Sequence, residues 1–478
     1  MNATRAVVLC VIACLVACAS NKAGMKSPEL PAKYWLEEEV PGIRDEHRDG
    51  LQAAAAFHDP DKVFSFDDCV YLTMQQSPAL VASAVSLEIQ RLALINTVWQ
   101  YFPEPRMNIR VTNNVTRYNE NTKDTPGDYG RPVMRPQYYG YLMNPVVTYF
   151  EQQAKRIMIN LAISLHRKAV GEAIYKIARA YLDLQAKRKI AALQKELLPV
   201  VKEGAAYWQR VEEVEGAQGT QLYLARQRER DVELLLEETA IEESMQLSDL
   251  KVLAGVGRDA PLNVNTDKAD AILAGFDGTR LKWEERWPVL EDEYLLRGQV
   301  ELADYNIMVA WAQYMPLINV DIDTNPPSGQ YQPSGGTSDY FLHFNFDIPL
   351  IDWGVRYRGV QVARMKKAEA FHDVDQKRAA YSGKWLQAKQ KAELANTELK
   401  LAKTRFETAE MQNREAEIGY KAGTVEFPEV LGSREAGVKA AIRLAEADLA
   451  WRRARLDWMY LAGVLQERYL RPPAGDFL

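Results

Sequence analysis

Between residues 340 and 423 the pattern of apolar and polar positions changes period once. Leu342, Phe344, Phe346 and Ile348 alternate with His343, Asn345 and Asp347. A period of two predicts a strand with one apolar and one polar face. Pro349-Leu-Ile-Asp-Trp-Gly354 follows, and no proline occurs from there to Tyr420. Alanines stand at 388, 395, 402, 409 and 416, with Ala392, Leu399, Phe406, Asn413 and Tyr420 four residues after each. This 4-3 stripe predicts a coiled-coil seam on one helix of roughly 100 Å, which Gly423 ends.

Elsewhere the same two periods alternate. Asp67 or Asp68 is expected to cap a helix running to about Tyr101, and Ser77-Pro78 to kink or divide it. Met107, Ile109 and Val111 alternate with Asn108, Arg110 and Thr112, a strand. Residues 116–136, with three prolines and two glycines, read as a long loop. Tyr139, Tyr141 and Met143 mark a second strand with an aromatic edge. A long helix is expected from about Tyr149 to Glu215, carrying Ile177, Leu184, Ala191, Leu198 and Ala205 seven apart, with Pro199 kinking or breaking it. The chain turns at Gly219-Thr220, and a further helix reaches Leu253-Ala-Gly-Val256. Residues 257–287 form a connection rich in Gly, Pro and Asp.

The plan then repeats. Asn144-Pro145, Tyr149, Tyr181-Leu182 and Gly219-Thr220 match Ile348-Pro349, Trp353, Trp385-Leu386 and Gly423-Thr424, all at an offset of 204. Leu253-Ala-Gly-Val256 matches Leu461-Ala-Gly-Val464 at 208, which places one extra turn in the last helix of the second copy. Ile318, Val320 and Ile322, alternating with Asn319, Asp321 and Asp323, give the second copy its own strand pair with 340–348. The boundaries expected are a signal peptide at 1–17, a tether at 18–63, the first repeat at 64–256, a connector at 257–287, the second repeat at 288–468 and a tail at 469–478.

Charge and composition narrow the function. The net charge is −6 with acids and bases interspersed, so nucleic acid is not expected as a partner. Arg5 followed by the apolar run Ala6–Ala17 reads as an export signal, too short to span a bilayer. No later stretch approaches 18 uninterrupted apolar residues, so a membrane-crossing chain must cross as strands of a closed barrel. Cys10 and Cys14 lie in the signal, leaving Cys18 and Cys69 and no disulfide framework. Residues 19–62 read as an extended tether, with Leu51–Phe57 a helical turn. The five histidines are scattered without metal-ligand spacing, and there is no phosphate loop or nucleophile elbow. No enzyme activity and no cofactor are expected.

Four strands cannot close a barrel, for which about eight is the practical minimum. Two or three copies supply eight or twelve. The polar faces carry Asn108, Arg110, Asn319, Asp321, Asp323, Asn345 and Asp347, which suits a wet lumen better than a dry core. A small sheet capping a coiled coil remains the alternative.

Phe346-Asp-Ile-Pro-Leu-Ile-Asp-Trp-Gly354, Tyr420-Lys-Ala-Gly-Thr424 with Glu429-Val-Leu431, and the tandem repeat resemble the TolC-like outer-membrane efflux factors, over about residues 64–468. The resemblance implies a mainly α fold with a small membrane β part. In it a trimeric 12-stranded β-barrel continues into a long periplasmic α-helical barrel. It implies a homotrimer in outer-membrane lipid, lipid-anchored at Cys18 where Leu15-Val-Ala-Cys18 resembles a lipobox. Its implied role is a passive conduit of a tripartite efflux or type I secretion system, fed by an inner-membrane pump through a periplasmic adaptor. It implies a periplasmic gate at Glu429, helped by Glu426, with Arg226 and Arg228 as partners, and adaptor-contacting tips at Gly219, Thr220, Gly423 and Thr424. The strand-to-helix junctions are Pro145, Pro349 and Gly354, and the lumen residues are Arg110, Asp321, Asp323, Asn345 and Asp347. Departures are Phe150 where the second copy has Gly354, and Gly432 where a second tip aspartate is expected, leaving a single acidic ring. A non-conducting coiled-coil lipoprotein linking envelope layers is the competing reading.

Overall fold

The computed structural model describes residues 63–100, 106–112, 133–142, 145–215, 219–257, 262–266, 269–315, 317–323, 341–347 and 351–471. The chain divides into two compact units, 1–41 and 42–478, and all described residues belong to the second. Cys18 and the turn expected at 51–57 lie outside them, as do Pro349 and most of the loop at 116–136.

The first copy opens with β1 (Val63–Phe64) and α1 (Phe66–Gln76). Ser65, not Asp67 or Asp68, caps α1: its hydroxyl accepts from the Asp68 N–H, and the Asp68 carboxylate accepts from the Ser65 N–H at 2.9 Å. Ser77-Pro78 divides the expected helix, and α2 (Pro78–Trp99) follows. The strands are β2 (Arg106–Thr112) and β3 (Val133–Leu142). β3 begins six residues earlier than the aromatic alternation suggests. That start takes in Pro136, which lies opposite Ile109 of β2 and before the stretch that pairs with β5 from Tyr138 onward. α3 (Pro145–Glu215) begins four residues earlier than expected, with Pro145 in its first turn, and runs unbroken through Pro199. α4 (Thr220–Ala254) completes the copy.

The connector is folded. β4 (Asn263–Val264) pairs in parallel with β1, and α5 (Asp270–Leu273) and α6 (Trp283–Arg286) follow. The second copy is α7 (Glu291–Ala312), β5 (Leu317–Asp323), β6 (Phe341–Asp347), α8 (Val355–Lys421), α9 (Phe427–Leu461) and α10 (Val464–Glu467). α4 and α9 are both 35 residues long, so the extra turn expected in the last helix lies in the tip before it instead. Pro428 is the reason. It lacks an N–H, so it fits only the first turn, and it fixes the start of α9 at Phe427.

The main core sits where the connector crosses the long helices. Ile177, Tyr181 and Leu184 of α3, Leu250 of α4 and Leu456 and Met459 of α9 are buried there. Leu262, Val264, Ile272 and Phe276 of the connector join them, with Trp385, Ala388 and Ala392 of α8. The seam alanines of α8 are buried at 388, 392 and 395 and half-buried at 402, 409 and 416.

Packing gives one lateral order. α2 and α4 pack on α3, α3 packs on α7 and α9, and those pack on α8. The antiparallel sheet has the matching order β2-β3-β5-β6. Both layers therefore have two edges: α2, α4 and β2 on one side, α8 and β6 on the other.

Candidate functional site

The two edges carry the apolar surface that the fold leaves uncovered. On α8, Leu394 and Leu401, and Met411 and Ile418, are exposed pairs seven residues apart. On α4, Leu234 and Ile241, and Met245 and Val252, repeat the pattern. Leu394 lies 29 residues before Gly423 and Val252 lies 33 after Gly219, so both stripes fall within a similar distance of their tips. On α2, Ile89, Leu92, Ile95 and Trp99 are exposed. α2 is the one described helix that is long and apolar enough to cross a membrane by length and composition. Like α4, it packs on α3.

At the second tip, α8 ends in a Schellman turn. The Thr424 N–H donates to the Gly419 carbonyl at 2.9 Å and the Gly423 N–H to Tyr420 at 3.0 Å, with Gly423 at φ 73°. Glu426 precedes α9, and Glu429 is in its first turn, where an acid suits the helix dipole. Both glutamates are exposed, as are Arg226 and Arg228 on α4, and among the described residues no ion pair joins them. A different arginine ties the tip to the first copy. Arg434 Nε lies 3.1 Å from Glu417 of α8, and its Nη1 lies 3.7 Å from Glu203 of α3. Phe427 packs against Tyr207 of α3 and Tyr420 of α8, with ring centroids 5.3 and 5.6 Å apart. Arg434 was not singled out from the sequence. Its position one turn beyond Glu429, on a helix facing an acidic stretch of α3, was the available signal. At the first tip, Gly219 and Thr220 open α4.

At the second strand-to-helix junction, Asp352 caps α8 through its side chain. Its two carboxylate oxygens each accept at 3.0 Å, one from the Gly354 N–H and one from the Arg356 N–H. These bonds, the Arg356 one foremost, hold its carboxyl below the usual carboxylate range. The turn places Trp353 and Gly354 consecutively in the left-handed region, at φ 53° and 77°. Pro145 opens α3 at the first junction.

Register assigns the strand residues to faces. Asn319 pairs with Asn345, Asp321 with His343 and Tyr139, and Asp347 with Leu317. Arg110 pairs with Arg135, and Asn108 with Gln137. Directly paired residues share a face. One face thus collects Arg106, Asn108, Arg110, Arg135, Asp321, Asp323, Asn345 and Asp347, and the other Ile109, Val320, Phe344 and Phe346. Tyr139 and Tyr141 fall on the polar face, so only part of the aromatic edge read from the sequence lies on the apolar one.

Among the described residues no group of three or more His, Cys, Asp or Glu is placed to hold a metal ion. Cys69 is buried, which pushes its thiol up to about 12, far from reactive.

Residues 296–464 match the sequence model of the outer membrane efflux protein family. No curated protein matches the sequence. In fold, the chain is similar to the open state of the Neisseria gonorrhoeae MtrE outer membrane channel, with a TM-score of 0.68 and 14% identity over 83% of this chain and 88% of that one. It is similar to the Campylobacter jejuni CmeC outer membrane channel, at 0.65 and 15% over 90% of each. It is also similar to the outer membrane protein VceC of Vibrio cholerae, at 0.64 and 14% over 83% and 96%. The second copy of this tandem plan thus matches the outer membrane efflux protein family in sequence, and the chain has the fold of solved outer-membrane channels.

Proposed function

We propose that the chain is the outer-membrane channel of a tripartite efflux or type I secretion system, and that three copies close head to tail into a ring. The observation that carries this reading is the pair of matching open edges. Four strands and four helical columns end in the same lateral order. One edge of each copy joins the opposite edge of the next, which is a heterologous contact that closes by rotation. Apolar heptad stripes of overlapping reach on α4 and α8 support it. So does the strand charge, since β2 brings Arg106 and Arg110 to one edge while β6 brings Asp347 to the other. Closure leaves no strand edge unpaired in the bilayer, where each unsatisfied backbone group costs several kcal/mol.

On this reading twelve strands form the barrel, with Arg110, Asp321, Asp323, Asn345 and Asp347 towards water. The columns form the periplasmic tunnel. The segment 1–17 is the export signal, and Cys18 carries the lipid anchor. Gly219, Thr220, Gly423 and Thr424 lie at the tips that meet a periplasmic adaptor, and the inner-membrane pump delivers the substrate. Glu429, with Glu426 beside it, makes one acidic ring where three copies converge, repelling closure and attracting cations. α4 is an edge, so Arg226 and Arg228 stand beside a neighbouring copy. The latch within one copy is Arg434 with Glu203, and Phe427 with Tyr207; these contacts part when docking swings the second hairpin away from the first.

Single-channel recording of the purified full-length protein in a planar bilayer tests the reading, with native mass spectrometry on the same sample. The expected result is a trimer with unitary conductance steps, and a changed cation preference in Glu429→Ala. A folded trimer that never conducts, even as Glu429→Ala, overturns the channel; unchanged selectivity moves the gate elsewhere. Cys18→Ser is expected to abolish palmitate labelling, and label that persists refutes the anchor.

A further inference from the structure

The turn at 351–354 has a feature that the conduit does not need. Trp353 adopts φ 53°, a region that side-chain-bearing residues enter at a cost and that persists only where the surroundings impose it. Here Asp352, the residue before it, imposes it by holding the Gly354 and Arg356 N–H groups that follow. The strain is not offset by burial, since Trp353 is 86% exposed and Ile351 beside it 76%. The fold thus spends backbone energy to present a large apolar ring to the outside. This happens six residues after β6 ends at Asp347, at most about 20 Å of chain.

A second observation lies in the next four turns. Residues 355–367 contain Arg356, Arg358, Arg364, Lys366 and Lys367, and no acid. A helix N-terminus is the positive end of the peptide dipole and disfavours cations. A chain of net charge −6 has placed two of them, Arg356 and Arg358, in that first turn and three more, with no acid between, in the turns that follow. Two have acidic partners: Arg356 lies 3.8 Å from Asp352, and Lys367 pairs with Asp304 of α7. Arg358 donates to the Trp353 carbonyl at 3.1 Å, Arg364 lies over the Trp311 ring at 5.9 Å, and Lys366 is exposed. None of these three has an acidic partner among the described residues. Tyr357, Trp311 and Tyr314 are exposed around them. Aromatic rings interleaved with unneutralised cations, beside the end of a strand, match the chemistry of a lipid-water interface, where rings sit at headgroup depth and cations meet phosphates.

We propose that Trp353, with Arg358, Arg364 and Lys366, is an interfacial anchor that binds anionic phospholipid headgroups where the strands leave the bilayer. The proposal rests on the reading that the strands span the outer membrane. Asp352 sets the depth: its two hydrogen bonds fix the ring at the head of α8, so lipid contact at Trp353 is transmitted to the helix axis rather than absorbed in a loop.

The full-length protein is reconstituted in phosphatidylethanolamine vesicles with or without phosphatidylglycerol, using acyl chains brominated near the interface as fluorescence quenchers. The chain has ten tryptophans, so the readout is the difference between wild type and Trp353→Phe. Wild type is expected to show a quenched component that Trp353→Phe lacks. Brominated phosphatidylglycerol is expected to be favoured roughly fivefold over the zwitterionic lipid, the factor about one interfacial cation supplies. That preference is expected to fall in Arg358→Gln with Arg364→Gln and to vanish when Lys366→Gln is added. Trp353→Gly suits the left-handed backbone, so it should unfold at a higher temperature than wild type and still lack the component. A conducting protein with equal quenching in wild type, Trp353→Phe and Trp353→Gly overturns the anchor and leaves the channel standing. A lipid preference unaffected by the arginine changes overturns the anionic partner. No quenching at all together with no conductance overturns the membrane reading and the anchor with it.

Discussion

His166 of α3 is 3% exposed, with its Nδ1 2.6 Å from the Ser83 hydroxyl of α2. Burial pushes the imidazole from 6.5 down to about 4. Both folded and unfolded chains hold it neutral at pH 7. Below about 6.5 the unfolded chain takes up a proton that the folded chain refuses, so stability falls as the pH drops from 6.5 to about 4 and levels off below that. The full effect is about 3 kcal/mol at most. Urea midpoints measured across this window should fall less steeply for His166→Gln than for wild type; equal slopes would show that the histidine charges in place. Residues of this kind were hard to foresee, because the sequence gives a lone histidine no sign of which neighbour covers it. The same holds at the tip. Glu429 stood out by its motif, but the contacts at the tip depend on how two hairpins 200 residues apart lie together, and the ion pair that joins them within one copy runs from Arg434 to Glu203, two residues with no motif to mark them.

At the scale of elements, periodicity carried most of the information. The heptads at 177–205 and 388–416 gave both long helices, and alternation gave all four main strands. Prolines were the harder signal, because their local meaning depends on tertiary context; of the kink or break expected at Pro199, the break is absent. Pro199 removes one hydrogen bond from α3, at a cost of about 3 kcal/mol in a helix interior. The helix nevertheless runs on, because Leu197 and Val201 on either side are buried against Val232 of α4 and meet Val438 of α9. Pro428 acts as a start signal. The exposed stripes on α4 and α8 make a prediction at this scale. Ile241→Asp or Leu394→Asp should leave the helical circular dichroism of the chain unchanged and shift its mass in detergent from trimer towards monomer. A variant that stays trimeric would place the seam on another face. Both residues are about 61% exposed within one copy, so neither substitution disturbs the core.

At the scale of the whole molecule, the doubled plan was evident from the offset of 204, and the short connector strands were not. β1 and β4 are two residues each, too brief for a period to show, and they pair across 200 residues. The core that they help to close was not singled out either: in the Arg452–Arg455 stretch of α9, Arg452 and Arg455 grip the connector at Asp270 and the Phe276 carbonyl, and Arg453 grips Asp183 of α3.

The register of the sheet also bears on what passes through. On the polar face, the first copy contributes Arg106, Arg110 and Arg135, and the second Asp321, Asp323 and Asp347. Around the proposed ring the barrel wall is therefore striped lengthwise, three positive bands alternating with three negative ones, and these six charges per copy cancel. Such a wall has strong local fields that fade towards the axis, since opposite bands and screening over about 8 Å offset each other there. A mobile ion in mid-stream feels little net pull, whereas a zwitterion or dipolar solute can turn to suit two neighbouring bands at once. In the proposed ring the wall is thus close to indifferent to the sign of what passes, which leaves any sorting by charge to the proposed acidic ring at the far end.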